Sequence, residues 1–207
     1  MKIFLCILIG YLLGSLNPAA LISRLKHKNL RQHGTGNLGA TNTMLVFGKS
    51  FGALVMIFDI AKAYIAFKCA KWLAPQFAWV AISAGFSAIV GHCFPFYMSF
   101  RGGKGLAAFA GLVLAYDPLL FLFLLISGIA LMIAVNHTFI LPFYATVFFT
   151  LHVAITKNSI PMLAFAIASA TLIITMHFGN FIKAIKGEDK KIRELLSKKL
   201  LKRKNKS

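Results

Sequence analysis

The stretch Leu106-Ala107-Ala108-Phe109-Ala110-Gly111-Leu112-Val113-Leu114-Ala115-Tyr116-Asp117-Pro118-Leu119-Leu120, which stays apolar as far as Val135, decides the fold. A bilayer core of roughly 30 Å takes about 20 helical residues at a rise of about 1.5 Å each, so residues 106–135 are too long for one span and short for two. Asp117-Pro118 settles the choice. Proline lacks an N–H and crowds the turn before it, so a helix ends there. Two short, tilted spans are expected, about residues 105–116 and 118–135. One long kinked helix would instead carry the basic C-terminal end outward, against the tendency of Lys and Arg to stay on the cytoplasmic side.

Immediately upstream lies Gly91-His92-Cys93-Phe94-Pro95, followed by Phe100-Arg101-Gly102-Gly103-Lys104-Gly105. Three glycines surround one lysine and lead into a helix-compatible run. Backbone N–H groups in such a loop can turn toward an anion, and a following helix N-terminus adds a favourable dipole. A phosphate cradle is the functional reading; a flexible turn bearing a solvated lysine is the plain one. It is not a nucleotide-binding loop, because Leu106 stands where Ser or Thr would be needed. Pro95 predicts a distorted helix end, and His92 is the first candidate base. Downstream, Asn136-His137-Thr138 is a short polar turn, which the two-span reading puts on the same side as Lys104.

Composition agrees with a membrane protein. The 207 residues are 58% hydrophobic with a mean hydropathy of +0.76, and 23 Lys and Arg face only 5 Asp and Glu. The net charge of +18 would suit nucleic acid, but the basic residues gather at the ends of apolar runs and beyond residue 190, as positive-inside topology requires. No nucleic-acid partner is expected; the lipid bilayer is. Cys6, Cys69 and Cys93 have no paired spacing, so neither a disulfide framework nor a metal site is indicated.

Outward from the centre, the other spans are expected at about residues 3–23, 51–67, 77–98, 139–155 and 160–178, which makes an all-α, seven-helix membrane protein with its N-terminus outside. Residues 24–49 read as a polar cytoplasmic loop. It contains Arg31-Gln32-His33-Gly34-Thr35-Gly36-Asn37-Leu38-Gly39-Ala40-Thr41-Asn42, dense in backbone, hydroxyl and amide groups that suit phosphates and hydroxyls. Asp59 and Lys62, three apart in an apolar helix, can pair, and a structural ion pair is favoured over a catalytic one. Lys68, Lys71 and Pro75 mark a short outer loop. His177, Asn180 and Lys183 recur every third residue and share a helix face at the cytoplasmic end. Every glycine-rich or histidine-bearing polar segment therefore falls on one side of the membrane. A single site is the economical explanation.

In order and spacing, these segments resemble the bacterial integral-membrane glycerol-3-phosphate acyltransferases that use acyl phosphate as donor, the PlsY type. The likeness rests on Gly14-Ser15, the run from Gly34 to Asn42, Asp59 with Lys62, Gly91-His92, Phe94-Pro95, the run from Phe100 to Gly105, His177, Asn180 and Gly187. It implies seven transmembrane helices in the bacterial inner membrane and cytoplasmic glycine-rich loops. Residues 1–189 would form one transmembrane acyltransferase domain, and 190–207 a basic cytoplasmic tail. The implied reaction moves an acyl group from acyl phosphate to the 1-hydroxyl of glycerol 3-phosphate, giving lysophosphatidic acid and phosphate, with no cofactor or metal. A substrate phosphate, rather than a conventional base, would take the hydroxyl proton. His92, Lys104 and His177 are the candidate catalytic residues. Thr35, Gly36, Asn37, Thr41, Asn42, Arg101, Gly102, Gly103, Gly105, Asn180 and Lys183 are the candidate substrate contacts.

The sequence departs from the family pattern at three places. Thr35 replaces Ser and keeps the hydroxyl, Lys183 replaces Arg and keeps the charge, and Leu45 replaces an Arg that could grip phosphate bidentately. Neither His33 nor His92 has an aspartate at the offset of the His-x4-Asp box that marks the other large class of glycerol-phosphate acyltransferases. Competing readings are a paralogue acting on another phosphorylated acceptor, and a small anion transporter coupled through Asp59 and Lys62.

Overall fold

Helices in this chain start and stop where proline and short polar side chains fall. The computed structural model describes residues 1–157 and 159–188, and the regular elements among them are helical. In order they are α1 (Lys2–Ser15), α2 (Pro18–Leu25), α3 (Ala40–Phe47), α4 (Lys49–Leu73), α5 (Ala78–Cys93), α6 (Leu106–Tyr116), α7 (Pro118–Val135), α8 (Ile140–Thr156) and α9 (Ile160–Ile185). Short 3-10 turns occupy Leu30–Gln32 and Phe96–Met98.

The break in the deciding stretch falls at Asp117. Pro118 takes the first position of α7, where its missing N–H would have had no helical partner anyway. The Asp117 carboxylate accepts from the Leu119 and Leu120 N–H groups at 2.9 and 3.0 Å, capping the new helix. α6 and α7 are thus separate helices packed on each other, and the single kinked helix is excluded.

The same device recurs where one unbroken span was expected, over residues 3–23. Asn17 accepts from the Ala20 N–H at 2.9 Å and Pro18 opens α2, so α1 stops at Ser15. Two other expectations are corrected. The polar loop over residues 24–49 contains α3, because charge counting reports topology and is blind to a short helix whose Thr43 and Asn42 side chains are buried. The span expected at 51–67 is α4, Lys49–Leu73. Lys68 and Lys71 lie on it rather than in an outer loop, since Ala66 and Ala70 continue its buried face while Lys68 reaches across the Tyr64 ring.

Among the described residues, five segments are long and apolar enough to cross a membrane: Lys2–Leu25, Lys49–Leu73, Ala78–Met98, Pro118–Val135 and Ile160–Ile185. α6 and α8 are shorter apolar helices at the two remaining expected places. The hub is α5, with 72% of its apolar window buried against 11% for α7, whose surface is left for lipid. Small residues permit that hub: a Cβ on Gly14 of α1 would lie 2.1 Å from the Ala88 carbonyl oxygen of α5. Tyr11 Oη donates to the Phe94 carbonyl at 2.8 Å and Tyr97 Oη to the Ser15 carbonyl at 2.7 Å, clamping the same pair of helices.

Ring contacts sort the helix ends. Phe139, just past the α7–α8 turn, meets Phe181 of α9 edge-on at 5.2 Å, so Asn136-His137-Thr138 lies at the end of the bundle where α9 finishes. At the other end Trp79 stacks on Phe165 at 6.4 Å and Lys157 lies 5.7 Å from the Tyr116 ring centre. The basic tail at 190–207 lies outside the described residues.

Candidate active site

The segment between α5 and α6 folds back over the end of α5. The Gly102 N–H donates to the Cys93 carbonyl at 2.8 Å and the Gly103 N–H to the His92 carbonyl at 3.0 Å. Both amides therefore close the C-terminus of α5, where a helix end needs its last carbonyls satisfied. At the start of α6 Gly105 holds the N-cap in the left-handed region (φ +83°) with no side-chain cap. Its missing Cβ also matters, as one would approach Ile173 Cδ1 to 2.8 Å and Cys93 Sγ to 2.9 Å.

Lys104 projects from this loop to α9, where its Nζ donates to Asn180 Oδ1 at 2.7 Å. The Lys104 pKa is lowered from the ordinary lysine value, first by burial and then by the positive charge of Lys183. The buried His177 ring lies within electrostatic reach of the same ammonium. Its Nδ1 lies 2.9 Å from the Ile173 carbonyl oxygen, which requires Nδ1 to carry the proton and leaves Nε2 as an acceptor. Lys104, His177, Asn180 and Lys183 are thereby brought into one centre.

His92 is held differently. Lys62 Nζ donates to His92 Nδ1 at 2.8 Å, to the Leu16 carbonyl at 2.9 Å, and pairs with Asp59 Oδ1 at 2.8 Å. Two of these contacts are hydrogen bonds, and the third is a close ion pair in which Asp59 Oδ1 makes no hydrogen bond of its own. Asp59 Oδ1 lies 3.3 Å from the same Nδ1, so this ring nitrogen sits between the ammonium and the carboxylate. Nε2 faces Gly103, where a Cβ would sit 2.2 Å from it and 2.9 Å from the Leu38 carbonyl oxygen. His92 is buried beneath the glycine loop with its Nδ1 against Lys62. Sequence spacing pointed to the Asp59–Lys62 pair; its link to His92, 30 residues on, has no local signal.

The earlier polar segment wraps around Asn42, which is fully buried. Asn42 Oδ1 accepts from the Thr35 N–H at 2.7 Å, and Nδ2 donates to the Leu30 and His33 carbonyls at 2.9 and 3.1 Å. Both amide protons are spent on the loop. Thr35 and Thr41 are exposed; Gly36 and Asn37 are half-buried. The two loops touch through Leu38 and Gly103, and the Arg31 guanidinium donates to the Arg101 carbonyl. Arg101 itself is exposed, as is Leu45 on α3 at 61%.

Comparison with known proteins gives a consistent result. A family model described as glycerol-3-phosphate acyltransferase matches residues 4–187. A glycerol-3-phosphate acyltransferase of Streptococcus thermophilus (strain CNRZ 1066) is 46% identical over 127 residues, 61% of this chain, and the match spans 59% of that relative's length. Relatives of the same name from Thermoanaerobacter pseudethanolicus and Aquifex aeolicus are 33% and 31% identical over 89% and 91% of the chain, covering 93% and 98% of their own lengths. The crystal structure of PlsY, an integral membrane glycerol 3-phosphate acyltransferase, in its glycerol 3-phosphate form superposes with a TM-score of 0.86 at 29% identity, covering 95% of this chain and 99% of that one. Its lysophosphatidic acid form gives 0.82 at 28%, with 92% and 95% covered.

Proposed function

This chain belongs to the glycerol-3-phosphate acyltransferase family, and from that premise we propose that it transfers an acyl group from acyl phosphate to the 1-hydroxyl of glycerol 3-phosphate. The observation that carries the reading is the Lys104–Asn180 contact, which joins the glycine loop to the end of α9 beside His177 and Lys183. Two cations, one amide and one imidazole acceptor at a helix start suit a phosphate monoester with hydroxyl groups next to it.

In the proposed step the 1-hydroxyl oxygen attacks the acyl carbonyl carbon, the carbonyl–phosphate C–O bond breaks, and phosphate leaves with that electron pair. The hydroxyl proton passes to a phosphate oxygen. His177 Nε2 accepts from a substrate hydroxyl and orients it, while Lys104 and Lys183 hold phosphate charge. His92, Lys62 and Asp59 position the loop from below. Since an acyl phosphate already carries a good leaving group, orientation and preorganised charge supply the acceleration.

The same reading makes residues 1–189 one transmembrane unit of seven spans in the bacterial inner membrane, with the N-terminus outside and the site at the cytoplasmic face. Purified protein given an acyl phosphate and labelled glycerol 3-phosphate should form lysophosphatidic acid. No product above a Lys104→Ala control, with an active relative assayed alongside, overturns the proposal.

Leu45 favours a second reading, a changed acceptor. It stands exposed on α3 where the family pattern has Arg. If the missing guanidinium weakens acceptor binding, Leu45→Arg lowers the KM for glycerol 3-phosphate by roughly tenfold, the worth of a charged hydrogen bond. That gain, together with turnover of another phosphorylated acceptor by the unaltered chain, selects the second reading; an unchanged KM removes the observation behind it.

A further inference from the structure

A second basic site lies apart from the Lys104 centre. Arg24, His27, Lys28 and Arg31 line a cavity of about 510 Å³, to which Tyr97 and Ser99 contribute from the other side. Neither Lys104 nor any residue of α9 lines it, and no Asp or Glu does. Three permanent positive charges therefore face a concave surface with no carboxylate to neutralise them. Positive-inside topology explains why basic residues occur on this segment. It does not explain their convergence on a hollow whose opposite wall is formed by Tyr97 and Ser99.

Residues adjoining the lining in sequence indicate what kind of anion fits. Leu21 and Leu25 of α2, on either side of Arg24, are 58% and 68% exposed, and Phe96 and Phe100, on either side of Tyr97 and Ser99, are 54% and 60% exposed. Apolar and aromatic surface beside basic groups is the pattern of a membrane interface, where acyl chains lie against the first and headgroups against the second. A freely soluble phosphate gains nothing from such apolar surface; an amphiphile does.

We infer that this cavity holds the phosphate headgroup of an anionic membrane phospholipid. The Arg31 guanidinium, already joined to the Arg101 carbonyl, then links the lipid to the loop that carries Lys104. The binding itself rests on the membrane reading and not on the acyltransferase reading, so it is tested by lipid retention rather than turnover.

The full chain, purified in neutral detergent, is titrated with phosphatidylglycerol or with phosphatidylcholine of the same chains, and bound lipid is counted by native mass spectrometry. The exposed pair is removed together, Arg24→Gln with Lys28→Gln, and compared with Lys68→Gln with Lys71→Gln, which takes the same charge from α4. The first variant should lose about tenfold or more in phosphatidylglycerol affinity. The second should stay within about twofold of the unaltered chain, and phosphatidylcholine retention should not differ among the three. Equal losses in both variants, or no loss in the first, overturn the site and leave only overall charge. An alkyl phosphate monoester separates the other phosphate source, the acyl donor. Failure to displace phosphatidylglycerol at tenfold excess supports the phospholipid; displacement at equimolar amounts assigns the cavity to the acyl donor and overturns the inference.

Discussion

Lys104 is the one side chain through which charge, loop and helix α9 meet, and its protonation sets a pH limit. Burial and Lys183 both lower its pKa, so its ammonium is lost at a lower pH than an ordinary lysine's. The charged form is the phosphate-binding form. kcat/KM for glycerol 3-phosphate should therefore be level below the folded pKa and fall as pH rises through it. Lys183→Gln removes the repulsion and should move this alkaline limb to higher pH, while Lys104→Arg should remove the limb from the accessible range. A limb that stays fixed in both variants belongs to another group. Lys104→Ala should cost about a hundredfold or more in kcat/KM, as loss of a preorganised charged donor does. Gly103 is the second sensitive residue. An added methyl meets His92 Nε2 and the Leu38 carbonyl, so Gly103→Ala should raise KM and displace the loop, whereas Gly179→Ala, with open space around it, should leave activity unchanged. Equal activity in the two variants would show that the close approach at Gly103 is unimportant.

At the scale of elements, the Asp59–Lys62–His92 cluster joins α4, α5 and the break between α1 and α2. Removing one member strands a buried charge, and Lys62→Met should destabilise by about 3–5 kcal/mol. Adding Asp59→Leu to Lys62→Met should recover much of that, because the stranded carboxylate is gone. Thermal unfolding in detergent measures both. If the double variant is no more stable than the single, the cost lies in the lost Leu16 and His92 contacts rather than in an unpaired charge. Recovery of stability without recovery of activity would identify the cluster as what positions the glycine loop. The elements also show where reading from sequence succeeded. Asp117-Pro118 ended a helix as expected, because proline and an N-cap act through their immediate neighbours. Asn17-Pro18 carried the same signal inside a long apolar run, and span length masked it. α3 escaped notice because a polar, glycine-bordered stretch and a short buried helix have similar composition.

For the whole molecule, membrane orientation is the property to measure. With Cys69 changed to Ser, Gln76→Cys and Ser99→Cys place thiols at exposed positions near opposite ends of α5. An impermeant maleimide applied to intact cells should label Gln76→Cys, and Ser99→Cys only after permeabilisation. The reverse pattern overturns the proposed topology. By itself the sequence determined the membrane class, the order of the apolar segments, the break at Asp117 and the gathering of His177 and Asn180 with the Lys104 loop. Those depend on hydropathy, on proline and on helical spacing, all of which act locally or follow from alternation of the chain across a bilayer. Only the tertiary structure decided what the polar groups do. Gly102 and Gly103 spend their amides on α5, Asn42 spends its amide on its own loop, and His92 Nδ1 lies against Lys62. Hydrogen-bond donors and acceptors are exhausted by whichever partners the fold brings within about 3 Å, and those partners are distant in sequence.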